Sequence, residues 1–171
     1  MYRFKKGMKL LRITIGTGME KALWSIAIPG FGQFLNKKYF KGIILVMLEF
    51  IINSKANINM AIVLSFLGKT ELAMEITNYQ WLMFYPCVYI YSIWDAYRDG
   101  AEEESPLLFL PFAMAAYIET IGVIYSKVVK IRGILVGPIF FPMACIFIGL
   151  GIGFFIRKIA LLRLNIRGNN P

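Results

Sequence analysis

The sequence predicts an all-α fold of integral membrane type. It has four transmembrane helices and a short re-entrant or interfacial helix near the N-terminus. Three observations carry that prediction. The 171 residues are 58% hydrophobic with a mean hydropathy of +0.61, whereas a water-soluble domain needs a more charged exterior. The apolar residues gather in five runs, roughly 22–35, 42–52, 81–94, 107–125 and 134–156. The basic residues flank those runs instead of interrupting them. A single helical pass takes about 20 residues. The last two runs suffice outright, the second and third only by extending into their flanks, and the first is short.

Several function classes lose support at once. The chain has no histidine and two cysteines, Cys87 and Cys145, both within apolar runs, where a thiol behaves as a small hydrophobe. A disulfide framework or a metal site therefore lacks its ligands, and the commonest general base is missing. No Ser/His or Cys/His set, HExxH or paired aspartates stand within the runs, so no enzyme activity and no cofactor are implied. The formal charge of +9 suits anionic lipid head groups better than nucleic acid, because the charges border the apolar runs.

In chain order, residues 1–21 form a basic arm in which Arg3, Lys5, Lys6, Lys9 and Arg12 alternate with Tyr2, Phe4, Met8, Leu10 and Leu11. No apolar core or cleavage site follows, so it reads as a retained arm lying on the cytoplasmic membrane surface. Within Ala22–Leu35, Pro29 lacks an amide donor and Gly30 and Gly32 are poor helix formers, so a helix kinks or ends there. Gln33 and Asn36 can bond the freed backbone groups, and such a break is tolerated at membrane depth only under cover of protein or water. Lys37, Lys38 and Lys41 then make a basic turn, and the next helix starts near Gly42.

That run is apolar except for Glu49. If its helix continues, Glu49, Asn53 and Asn57 share one face at i, i+4 and i+8, and this stripe should face the bundle interior or water. If it ends near Asn53, the asparagines form an outside loop and Met60–Leu67 lies along the interface. Residues 54–78 are an extracytoplasmic insertion in either case, and Gly68–Asn78 fits a short amphipathic surface helix.

The third run carries Trp81, Tyr85, Tyr89, Tyr91 and Trp94, read as interfacial belts, with a kink at Pro86. Asp95, Asp99 and Glu102–Glu104 follow as an acidic, solvated loop able to pair with the basic arm. Residues 106–157 form a helical hairpin. Glu119 is the one ionisable residue of its first helix, about 18 Å in from Leu107. Ala115, Ala116 and Gly122 permit close approach, and Gly149 and Gly153 supply a GxxxG spacing on the second helix. Residues 158–171 are a basic cytoplasmic tail.

Charge sets the topology. If the first segment enters and returns, fourteen basic residues share the N-terminal side: Arg3, Lys5, Lys6, Lys9, Arg12, Lys21, Lys37, Lys38, Lys41, Arg98, Arg157, Lys158, Arg163 and Arg167. Five face the other side: Lys55, Lys69, Lys127, Lys130 and Arg132. If all five segments cross, the split is eleven to eight. The stronger bias predicts a multi-pass protein of the cell membrane with both termini cytoplasmic.

The run Pro29-Gly-Phe-Gly-Gln33, Asn36, Lys41-Gly42 and Asp95 within Ile93-Trp-Asp-Ala-Tyr97 resemble the TM-two domain family of small membrane proteins, in its bacterial form. In that family a glycine-rich turn, a polar-aromatic connector and a span-ending aspartate frame a helical hairpin. The resemblance covers residues 22–100 and is interrupted by the insertion. It departs from the animal form, where the turn reads Gly-x-His-Arg-Phe-Tyr against Gly-Gln-Phe-Leu here. It implies no catalysis and leaves 106–171 unexplained.

The sequence names no biochemical activity. It fits a structural, interaction or accessory subunit that packs on another membrane protein or on itself. The alternative is a small oligomeric channel or transporter component using the intramembrane carboxyls Glu49 and Glu119, with Asn53 and Asn57 beside them.

Overall fold

The structure, a computed structural model, describes residues 17–101 and 105–168. Most of the basic arm, Glu102–Glu104 and the last three residues lie outside the described residues, so the solvated loop expected at Glu102–Glu104 and its alternative, pairing with the arm, do too. The fold is all-α apart from one small hairpin. Helices α1 (Thr17–Ala27), α2 (Phe31–Leu35), α3 (Tyr39–Ala56), α4 (Ile58–Phe66) and α5 (Thr70–Ile76) lead to α6 (Tyr79–Leu82), α7 (Tyr85–Gly100), α8 (Phe109–Tyr125) and α9 (Gly137–Gly168). Strands β1 (Lys130–Ile131) and β2 (Ile134–Leu135) pair antiparallel between α8 and α9. Their two-residue turn, Arg132-Gly133, has φ of 51° and 83°, the sign pattern that matches strand twist. Hydropathy gives no hint of so short a hairpin.

The first apolar segment ends at its proline-glycine break and doubles back. Gly30 adopts φ 99°, open to glycine without steric cost. Beyond it α2 folds onto α1 so closely that a Cβ on Gly32 would strike the Lys21 carbonyl and the Ser25 hydroxyl. Both ends of the pair sit beside the C-terminal end of α7. Gly18 packs on the Tyr97 carbonyl, and Gly100 packs on Lys21 and Asn36. Near the tip, the Tyr89 hydroxyl donates to the Ile26 carbonyl at 2.8 Å. From Tyr97 to Tyr89 is about 12 Å of helix, so the pair reaches partway along α7 and returns.

Neither expectation for the second run holds as stated. Helix α3 passes Asn53 and runs to Ala56. It breaks at Asn57, in the left-handed conformation (φ 57°), and α4 leaves at a bend of 61°. The asparagine stripe is therefore cut after Asn53, since Asn57 turns aside to donate to the Ile76 carbonyl at 2.9 Å. Alanines 56, 61 and 73 have no exposed surface, which lets this bent unit pack tightly. The amphipathic helix foreseen within Gly68–Asn78 is α5.

Pro86 does not kink a helix. It stands in the first turn of α7, where a missing amide hydrogen costs nothing, after a break at Met83-Phe84 that separates α6. Asp95 and Asp99 belong to α7 and are not in a solvated loop. Helices α8 and α9 are antiparallel neighbours, and Pro111 sits in the first turn of α8. Gly153 lies against the Pro111 backbone, a Cβ on Gly149 would come 2.6 Å from Ala115 Cα, and one on Gly122 would come 2.7 Å from Cys145 Sγ. The GxxxG pair thus lies in the interface its spacing suggests.

The four spans expected from hydropathy are not matched by helix length. Among the described residues, Gly137–Leu164 alone is a single helix long and apolar enough to cross a membrane, and the bent α3–α4 pair qualifies if counted as one span. Helix α8, at 17 residues, is apolar but shorter. Helix α7 has 16 residues, the last turns of which carry charge.

Candidate functional site

Two polar constellations occupy the interior. The first lies where α2, α3 and α7 meet, and Gln33 is its centre. Its side chain has no exposed surface. Nε2 donates to the Ser92 carbonyl at 2.9 Å and to Asp95 Oδ2 at 3.2 Å. Oε1 accepts weakly from the Ser25 and Ser92 hydroxyls at 3.4 and 3.5 Å. The turn itself is tied in. The Gly30 amide donates to Ser92 Oγ at 2.9 Å, and the Gly32 amide to Ser25 Oγ at 3.2 Å. These are backbone groups that the break at Pro29 leaves without helical partners, and the serines supply acceptors in place of water.

Asp95, also without exposed surface, joins this lock to a charged rim. Oδ1 accepts from Lys41 Nζ at 2.8 Å and from Arg98 Nη2 at 2.9 Å. Asp99 accepts from the same two cations at 3.4 and 3.0 Å, and the Arg98 guanidinium stacks 4.4 Å over the Trp94 ring. Partial burial works against the Asp99 charge, but Arg98 and Lys41 outweigh it and hold the carboxyl below its ordinary range. The hydrogen bond to Asp95 raises the Lys41 ammonium above its usual value. Asn36 donates to the Ala96 carbonyl at 2.9 Å. Gly42 packs on the Phe34 ring, and Gly30 on the Gly42 carbonyl. The motif residues Pro29, Gly30, Gly32, Gln33, Asn36, Gly42 and Asp95 therefore converge on one junction. Both carboxylates are paired, and the amides of Gly30, Gly32, Gln33 and Asn36 are directed at protein acceptors, so this arrangement holds a hairpin.

The second constellation surrounds a pocket of about 230 Å³ between α4, α7, α8 and α9. Glu119, 5% exposed, lines it beside Tyr85 and Tyr89. Among the described residues its Oε2 is buried without a hydrogen-bond partner. Glu49 lies across Tyr85, whose hydroxyl donates to Glu49 Oε1 at 3.4 Å. Asn53 Nδ2 reaches the same oxygen at 3.5 Å and Asn59 Oδ1 at 3.1 Å. Glu49 Oε2 is also buried and unpartnered. Of the expected polar site, Glu49, Asn53 and Glu119 gather around Tyr85, while Asn57 does not.

Sequence reading passed over Ser25, Ser92, Tyr85, Tyr89 and the pairing of Lys41 with Asp95. A lone serine in an apolar run was the available sign for the first two. The i, i+4 spacing of Tyr85 and Tyr89 was the sign for the next pair. These rings stack on each other at 5.3 Å and face the carboxyls, where a membrane-interface belt was expected. Comparison with protein-family models, curated proteins and solved structures finds no significant match.

Proposed function

We propose that this chain is a multi-pass protein of the cell membrane, related in its first hundred residues to the TM-two domain type, serving as a non-catalytic structural or accessory subunit. One observation carries the membrane reading: the polarity of the molecule is inverted relative to a soluble domain. Gln33, Ser92, Asp95 and Glu119 are buried, while Phe40 (78% exposed) and Phe50 (73%) on α3, Phe66 (71%) on α4 and Phe147 (73%) on α9 point outward. Exposed apolar surface on that scale needs lipid or a partner to cover it. In this reading α3–α4 from Gly42, α6–α7 as far as Trp94, α8 and α9 are the four passes, with Lys41, Arg98 and Asp99 beyond the cytoplasmic ends of theirs, and α1–α2 is the re-entrant element. Helix α8, about 26 Å long, falls a little short of the roughly 30 Å core and is accommodated by local thinning. Both termini face the cytoplasm.

The accessory role is supported by the hairpin lock, whose carboxylates Asp95 and Asp99 are both engaged in ion pairs that hold structure. A channel or transporter component is the second reading, favoured by the unpartnered carboxyl oxygens of Glu49 and Glu119. Alkaline carbonate washing should leave the chain in the membrane, and release by that wash overturns the membrane reading. Proteoliposomes of the purified chain should pass neither protons nor small cations. Flux that disappears in Glu49→Gln or Glu119→Gln would replace the accessory reading with the second one.

A further inference from the structure

We propose that the pocket walled by α7, α8 and α9 binds a compact organic cation, an amine or quaternary ammonium with an apolar body, which pairs with Glu119. The carboxyl stands on the α8 face that α9 approaches most closely, between Ala115 and Gly122. It is 95% buried by protein, yet one oxygen has no protein donor and the side chain borders an open pocket. Burying an ionised carboxylate without a partner is unfavourable. The other walls come from Tyr85, Tyr89, Ile62, Val123 and Ile146, and among the described residues no basic side chain lines the space. An anion finds no counter-charge there.

A hydrated metal cation fits no better. Calcium and magnesium take about six or more oxygen ligands, and the pocket wall offers one carboxyl and two phenols. A cation with a hydrocarbon shell satisfies both features. Its charge meets Glu119, its body replaces water against aliphatic walls, and the two tyrosine rings add cation–π attraction. Glu49, behind Tyr85 with its own unpartnered oxygen, adds a second negative charge. The volume of about 230 Å³ lies below the usual range for drug-sized ligands, so the occupant is small, not a phospholipid. The proposal rests on the membrane reading only for its medium, which the carbonate wash decides separately.

The test is equilibrium dialysis of tritiated benzyltrimethylammonium against the full chain in lipid nanodiscs, with empty nanodiscs subtracted. Saturable binding is expected, weakened about tenfold or more in Glu119→Gln and less in Glu119→Asp. Met143→Trp, which fills the half-exposed rim while keeping the carboxyl, should also block it. Absence of saturable binding by the wild type, or unchanged binding in a folded Glu119→Gln, overturns the proposal. If Glu119→Gln does not fold, Met143→Trp decides: lost binding supports the site and unchanged binding overturns it.

Discussion

Gln33 has no exposed surface, and its amide nitrogen donates twice within the hairpin junction, at 2.9 and 3.2 Å. An apolar residue of the same shape would leave Ser92 and Asp95 facing each other without a donor between them. Asp95 is the more consequential partner, because it accepts from Gln33, Lys41 and Arg98 together. Replacing Asp95 with Ala should destabilise the folded chain by about 1–3 kcal/mol, chiefly by leaving one hydrogen of the buried Gln33 amide without its acceptor. Lys41→Met should cost under about 1 kcal/mol, since Lys41 is partly solvated and Arg98 still neutralises the carboxylate. Unfolding titrations of both variants in mixed micelles check the order, and equal losses would show that the ion pair matters more than the amide lock. The rim also sets a pH response. Asp99 is held below its ordinary 3.8, so its contribution is present above that value and fades as pH falls further, through the folded value. Lys41 is raised above 10.5, so its share is present below that value and is lost as pH rises past it. Asp99→Asn should flatten the acid limb of a stability–pH curve and weaken the alkaline limb only in part, because Lys41 loses Asp99 but keeps Asp95. Much of this junction was legible in residue identity alone, because a Pro-Gly break needs polar cover and Gln33 and Asn36 stand beside it. The resemblance placed Asp95 at the end of the hairpin, but its bonds to Gln33 and Lys41 were not legible. Those partners are distant in sequence, and a charged stretch after an apolar run looks the same whether it is loop or helix.

At the scale of elements, α9 contains its own controls. Gly149 and Gly153 approach the α8 backbone at Ala115 and Pro111, whereas a Cβ on Gly151 would meet nothing within 4 Å. Backbone atoms cannot rotate away as a side chain can. Gly149→Val or Gly153→Val should therefore force the helices apart at a cost of about 1–3 kcal/mol. Gly151→Ala should be neutral or stabilising by roughly 0.5–1 kcal/mol, the ordinary gain for a helix interior. Unfolding midpoints of the three variants test this, and a Gly151→Ala loss as large as the other two would deny the packing face. Small-residue spacing made this interface readable from the sequence. The bend at Asn57 was not, because asparagine in a left-handed turn and asparagine within a helix are spelled alike. Docking of Asn57 onto the Ile76 carbonyl, nineteen residues away, decides between them. Helix α7 was misjudged for a related reason: proline inside a long apolar run marks either a kink or a first turn, and the break at Met83-Phe84 selects the latter.

For the whole molecule, the described residues separate into two poles. Lys21, Asn36 and Gly100 gather at one. Arg157 binds the Pro106 carbonyl at 3.1 Å, which ties the end of the α8–α9 hairpin nearer Arg98 to the chain after α7. At the other pole Lys69 and Thr70 adjoin Lys130 and Gly133, and Thr70 touches Gly137. In the proposed topology the two poles are the two sides of the membrane, and α1–α2 then returns to its side of origin. Single cysteines at Lys37, Lys69, Arg132 and Arg163, in a chain with Cys87 and Cys145 replaced by alanine, should then sort by pole. A membrane-impermeant maleimide added to intact cells should label positions 69 and 132 and spare 37 and 163. Labelling of 37 and 163 with 69 and 132 spared would invert the orientation but keep the poles. Labelling of 37 together with 69 would dissolve the poles themselves. It would mean that the segment broken at Pro29-Gly30 crosses the membrane, so that the lock around Gln33 has to close across a full span instead of around a hairpin.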